Sequence, residues 1–266
     1  MIGVFDSGVG GLSVWREMIQ LMPDEKYLYV ADSGYCPYGE KPKEYILERA
    51  CLITEYLLSR GAGIIVVACN TATAAAIEYL RSRYPVPFIG MEPAVKPAAL
   101  NTVSGVIGVL ATKGTFGGKL YLRTLHRFAA NTTVIEQVGK GLVERVESGA
   151  IADPRTNAML RTYLKPMMMK GADHLVLGCT HYPFLIDAIR KIVGNQMIIV
   201  NPAPAVAKRV KEVLEEMGQE QEEIVPETVN EFITTGPDME PLKKIVRSIV
   251  PELAGGYIYR SISLED

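Results

Sequence analysis

The feature that most restricts what this chain can fold into is a strand written twice, each time ending in a thiol. Residues 61–76 read GAGIIVVACNTATAAA, and residues 171–183 read GADHLVLGCTHYP. Both copies open with Gly-Ala, continue as an apolar run, and end in a cysteine followed by small polar residues. Cys179 lies 110 residues after Cys69. Short runs rich in Val, Ile and Leu predict strands buried on both faces, as in a parallel sheet covered by helices. In open parallel sheets, ligands bind beyond the carboxyl ends of the strands. Each cysteine therefore stands where chemistry is placed in this class of fold.

Two further echoes keep nearly the same spacing. IGVFDSGVGG at residues 2–11 matches IGVLATKGT at 107–115, and FIGMEPA at 88–94 matches IIVNPA at 198–203. Strand ends recurring in order predict two halves of one architecture. The fold class expected is α/β, with two similar open parallel-sheet domains facing each other across a cleft. The repeat ends near Pro204, which leaves the tail without a counterpart unless it returns to the first half. The expected division is a discontinuous domain of residues 1–97 plus 205–266 and a second domain of residues 98–204.

Within this frame, residues 12–21, 45–60, 71–83, 119–127, 157–170, 184–193 and 205–217 carry helical patterns, and Pro166 is expected to interrupt the fifth of them. Residues 26–33, 134–139 and 197–200 read as further strands, residues 218–227 as a polar surface loop, residues 228–236 as a late strand, and residues 239–249 as a closing helix. The glycines after Asp6 do not follow GxGxxG, and an aspartate at that strand tip would repel a pyrophosphate, which argues against a dinucleotide loop.

Bulk properties exclude several functions. The 28 basic and 30 acidic side chains among 266 residues nearly balance, so neither nucleic acid nor an anionic membrane finds an electrostatic footprint. No apolar run reaches the roughly 18 residues of a spanning helix, and no basic leader precedes an apolar stretch. A soluble, cytoplasmic protein is expected. Cys36, Cys51, Cys69 and Cys179 form no CxxC pair and suit neither a zinc knuckle nor a disulfide framework. With three histidines in the chain, no metal and no cofactor are expected.

Two weakly acidic groups on opposite sides of one carbon can invert a stereocentre, one removing a proton as the other delivers one. Cys69 and Cys179 meet that requirement if the halves oppose their strand tips. The thiols must then be tuned from about 8.5 toward neutrality, or pass their protons to partners. Asp6, at the neighbouring strand tip, and His181, two residues after Cys179, are candidate partners. Asp6 by itself disfavours a thiolate at Cys69, and leaves open whether it holds a substrate ammonium or takes the thiol proton. Ser7, Asn70, Thr71, Thr112, Thr115 and Thr180 supply hydroxyl and amide groups for a small anion, and Gly39 an unobstructed N–H. Each of these also reads as a cap or turn former. Glu147 reads equally as a solvated helix face, His126 as a surface residue and His174 as a structural one.

The motifs FDSGVGG, ADSGYCPYG, ACNTATA and GCTHYP, beginning at Phe5, Ala31, Ala68 and Gly178, resemble those of the glutamate racemases. These are cofactor-independent enzymes of the aspartate/glutamate racemase family. The resemblance covers almost the whole chain. It implies two α/β domains around a cleft, interconversion of L- and D-glutamate, supply of D-glutamate for bacterial peptidoglycan, a cytoplasmic location and a homodimer. It also implies that Cys69 deprotonates D-glutamate and Cys179 L-glutamate, with Asp6 assisting the first and His181 with Glu147 the second. Ser7, Asn70, Thr71, Thr115 and Thr180 would hold the amino-acid head, and Pro37, Tyr38 and Gly39 lie where the family binds the distal carboxylate. Two departures stand out. NPAP at residues 201–204 replaces an acid-bearing turn, and Cys36 occupies a loop position where bulkier residues are common. Aspartate racemisation, a binding module without turnover, and a thiol redox protein are the rival readings.

Overall fold

The computed structural model describes residues 1–218, 230–250 and 256–264. Most of the loop expected at residues 218–227 lies outside the described residues.

Among the described residues, ten strands form two fully parallel sheets. The first runs β10-β9-β2-β1-β3-β4, and the second β6-β5-β7-β8. In the first, β1 (Ile2–Asp6), β2 (Tyr27–Ala31), β3 (Ile64–Val67) and β4 (Phe88–Gly90) are joined by β9 (Glu231–Thr234) and β10 (Ile258–Ser261). In the second, β5 is Val106–Ala111, β6 Thr133–Val138, β7 His174–Gly178 and β8 Ile198–Val200. The order 2-1-3-4 of the first sheet is repeated as 6-5-7-8 in the second. The sequence echoes thus pair β1 with β5, β3 with β7 and β4 with β8, and the fold is two pseudosymmetric α/β units facing a cleft. Strand order reverses between β1 and β3 and again between β5 and β7, the topological position at which such sheets open a crevice.

The strands that carry the cysteines are buried throughout their length, as their unbroken apolar runs require. Helices cover them: α1 (Leu12–Leu21), α2 (Lys43–Ser59) and α3 (Asn70–Arg83) in the first half, α8 (Pro154–Met169) and α9 (Ile186–Val193) in the second. Trp15 of α1 meets Phe232 of β9 edge to face, with ring centroids 5.0 Å apart, which ties the returning tail to the first sheet. The helix α10 (Ala203–Glu216) packs along α1. Here Asn201 Oδ1 accepts the Ala203 N–H at 3.1 Å, so NPAP starts this helix.

Three local features differ from the sequence reading. The helix α8 runs through Pro166, because the carbonyl deprived of a partner belongs to Thr162 on the exposed face, open to solvent. A helix α4 (Val95–Asn101) follows Pro93, and it packs on β5, β7 and α6 (Lys119–Phe128). The edge strand β10 is the third addition, mostly exposed and without the apolar run that marks a buried strand.

Candidate active site

The first half brings Asp6, Ser7 and Cys69 to one strand tip. Cys69 follows β3 by one intervening residue, Ala68, and caps α3, its Sγ accepting the Ala72 N–H at 3.4 Å. Ser7 Oγ lies 3.9 Å from the same sulfur. A helix N-terminus ordinarily favours thiolate, but here burial, followed by the charge of Asp6, pushes the Cys69 thiol well above its ordinary range. Of the two routes, tuning toward neutrality or handing the proton to a partner, desolvation disfavours the first at Cys69, since it outweighs the hydrogen bonds to the sulfur. Asp6 is fully buried and accepts from Gly11 N–H at 2.8 Å and from the Thr180 hydroxyl at 3.3 Å. Burial raises its carboxyl above the usual range, against the opposing pull of His181 and the Gly11 N–H.

The second half brings Cys179 and His181 together just after β7. His181 Nδ1 lies 3.7 Å from Cys179 Sγ, and Nε2 lies 2.6 Å from Glu147 Oε1. Glu147, the last residue of α7 (Leu142–Glu147), also accepts the Val9 N–H at 2.8 Å, a bond that crosses between the halves. Burial draws the His181 pKa down, but hydrogen bonding with Cys179, Cys36 and Glu147 more than offsets it, and the net position is well above the ordinary histidine range. Cys36, from the loop after β2, is pushed up to about 11, chiefly by burial.

This approach explains the glycines of SGVGG. A β-carbon at Gly8 would overlap the Glu147 carboxylate, and one at Gly10 would overlap the His181 ring. The glycines are there to let the second half's imidazole and carboxylate press against the first half's strand tip, more than to make a tight turn.

Both sulfurs line one cavity. Ser7, Cys69, Asn70 and Thr71 come from the first half, with Pro37, Tyr38 and Gly39 from its loop, and Thr112, Val143, Cys179, Thr180 and His181 from the second. Its volume is about 10 Å³, room for one water and too little for an amino acid in this conformation. The Asn70 carboxamide is buried with neither its nitrogen nor its oxygen hydrogen-bonded. Polar groups left this way are costly in a native interior and mark a place where a ligand completes the bonding. A hydroxyl relay joins the halves beside it, with Thr71 to Thr112 at 2.8 Å and Thr112 to Thr115 at 2.9 Å.

Asp6, Glu147 and Thr115 do not line the cavity and stand one layer behind it. Val143 was missed as a site-adjacent residue, and the approach of Cys36 to His181 was not anticipated. An apolar helix residue gives no local signal, and the proximity of Cys36 to His181 exists only after folding. Tyr38 and Gly39 are held by a buried ion pair, in which Asp32 accepts from Arg49 Nη2 at 2.8 Å and from the Tyr38 hydroxyl. A wider groove of about 570 Å³ between α1 and α10 contains no thiol and is remote from this chemistry.

Residues 2–210 match the family described as Asp/Glu/Hydantoin racemase. The chain is 54% identical over 214 residues to the glutamate racemase of Ectopseudomonas mendocina, covering 80% of this chain and 81% of that relative. It is 50% identical over 218 residues to that of Roseiflexus sp., covering 82% and 80%. The chain belongs to the glutamate racemase family. It is accordingly an enzyme of the isomerase class. Among solved structures, the Escherichia coli glutamate racemase in complex with L-glutamate and an activator superposes with a TM-score of 0.86 at 31% identity, over 98% of this chain and 97% of that one. A Bacillus anthracis glutamate racemase gives 0.84 at 30% identity, over 99% and 97%. The likeness to the glutamate racemase fold therefore extends over nearly all of the chain, the returning strands β9 and β10 included. Among the described residues, no helix is long and apolar enough to cross a membrane.

Proposed function

We propose that this member of the glutamate racemase family interconverts L- and D-glutamate by cofactor-free proton transfer at the α-carbon, with Cys69 and Cys179 as the two acid–base groups. The observation that carries the reading is that sulfurs from equivalent strand ends of two repeated sheets line one cavity. In one direction Cys179 takes the α-proton of L-glutamate as the C–H electrons pass to the α-carbon, and the Cys69 thiol delivers its proton to the opposite face. In the other direction Cys69 must first lose its proton, and Asp6, whose raised carboxyl range brings it nearer to a thiol, is the acceptor within reach. On the Cys179 side, the His181 imidazolium balanced by Glu147 plays the corresponding part.

Neutral donors hold the substrate in this reading. Ser7, Asn70, Thr71 and Thr180 bind the amino-acid head, with Thr115 supporting Thr112 from behind, and the loop of Pro37, Tyr38 and Gly39 faces the distal carboxylate. The product serves peptidoglycan assembly, the protein acts as a homodimer in the bacterial cytoplasm, and its two domains are residues 1–97 plus 205–266 and residues 98–204. Racemisation of either glutamate enantiomer in deuterium oxide, without pyridoxal phosphate or added metal, should place deuterium on the α-carbon of the product. Retention of racemisation by Cys69→Ala or by Cys179→Ala would reject the proposal.

A further inference from the structure

Cys36 has no part in the proton transfer described above, yet it stands at the back of the Cys179 side. Ligand atoms of Cys36, Glu147 and His181 all lie within 4.8 Å of one another. The three come from separate elements: the loop after β2, the end of α7, and the turn after β7. Glu147 Oε1 already accepts from Val9 and His181, whereas its Oε2 makes no hydrogen bond among the described residues. Thiolate, imidazole and carboxylate together form the donor set of a zinc-type cation and suit neither calcium nor magnesium.

We propose that Cys36, Glu147 and His181 form a binding site for a thiophilic divalent cation of the Zn²⁺ class, and that its occupation shuts the enzyme off. Tetrahedral bonds of about 2.0–2.3 Å place ligand atoms roughly 3.5 Å apart, so the His181–Glu147 pair, now 2.6 Å apart, opens by about 1 Å and Cys36 closes by a similar amount, both within the reach of side-chain rotation. Binding displaces the Cys36 thiol proton and any proton on the imidazole nitrogen that takes the metal. Two consequences follow from where the ligands sit. The ion withdraws His181 and Glu147 from Cys179, and it links the first half, through Cys36, to the second half, through the other two. A cavity too small for an amino acid in this conformation is then held in it.

Co²⁺ titration of the chelator-treated full chain reads the site without turnover. A saturable thiolate-to-cobalt charge-transfer band with one equivalent of metal is expected in the unmodified protein and in Cys69→Ala, and its loss in both Cys36→Ala and Cys36→Ser. In a racemisation assay, the Zn²⁺ concentration for half inhibition should rise at least tenfold in Cys36→Ser, each protein being compared with its own metal-free rate. No band, a band that survives both Cys36 substitutions, or equal zinc sensitivity overturns the inference. Because the cobalt band needs no substrate, failure of this site and failure of the racemase reading are separate results.

Discussion

Thr180 donates to Asp6 Oδ1 at 3.3 Å, so the carboxyl group behind the first thiol is held by the residue next to the second. The two acid–base sides are chemically unlike. A fully buried carboxyl group stands behind Cys69, and an imidazole–carboxylate pair behind Cys179. Since enantiomers are equal in free energy, any variant must lose kcat/KM equally in both directions, and the asymmetry has to appear elsewhere. Asp6→Asn should enlarge the α-deuterium isotope effect chiefly from D-glutamate, and His181→Asn chiefly from L-glutamate. Equal enlargement in both directions would remove the assignment of partners.

The glycines at residues 8 and 10 give a steric prediction. Gly8→Ala and Gly10→Ala each force the Glu147–His181 pair off the first strand tip. Overpacking of this kind costs about 1–3 kcal/mol. Racemisation should fall at least tenfold, while Gly117→Ala, whose β-carbon would meet only the Gly114 carbonyl oxygen at 4.0 Å, should leave the rate nearly unchanged. The comparison needs only initial rates and denaturation midpoints.

Asn70 should show a trade between stability and binding. Its buried carboxamide bonds to nothing in the protein, and an unsatisfied group of this kind costs about 1–3 kcal/mol. Asn70→Leu is expected to raise the urea midpoint while raising KM for glutamate at least tenfold. A lower midpoint together with an unchanged KM would show that the amide serves the fold.

The Asp32–Arg49 pair supports the loop that presents Tyr38 and Gly39. Arg49 also donates to the Leu264 carbonyl at 2.6 Å, so α2, the loop and the end of the chain are locked together. Breaking a buried pair costs about 3–5 kcal/mol. Arg49→Met should therefore unfold at lower urea and show a larger change in KM than in kcat. A kcat effect with KM unchanged would contradict a positioning role.

Asp173 predicts one component of acid sensitivity. Burial tends to raise its pKa, but hydrogen bonds from His174, the Thr102 hydroxyl and the N–H groups of Ser104 and Val103 outweigh that and hold it below the usual range. A depressed carboxylate contributes stability that is complete above its unfolded value near 3.9 and is lost as pH falls through the folded one. The urea stability gap between the unmodified protein and Asp173→Asn should be level at pH 6–7 and close only below about pH 4. A gap that narrows toward neutral pH would show another group at work.

Much of the site was legible in the chain because the cysteines sit at the ends of apolar runs, and strand ends are a local property. The same holds for Ser7, Asn70, Thr71 and Thr180, each within two residues of a recognisable tip. Glu147 was less legible. A short amphipathic helix leaves an acidic residue equally readable as solvated, and its value comes from a bond to Val9 across the cleft. The purpose of Gly8 and Gly10 was hidden for the same reason, because the atoms they avoid belong to residues 147 and 181.

By itself, then, the sequence determined the repeat, the parallel strands and the positions of the two thiols, since periodicity and apolar run length act over a few neighbours. Only the tertiary structure decided which groups stand behind each sulfur, how desolvation moves their protons, and that Cys36 comes to rest beside His181. Those outcomes depend on contacts between residues far apart in the chain and on the exclusion of water, and neither exists before the two halves close on each other.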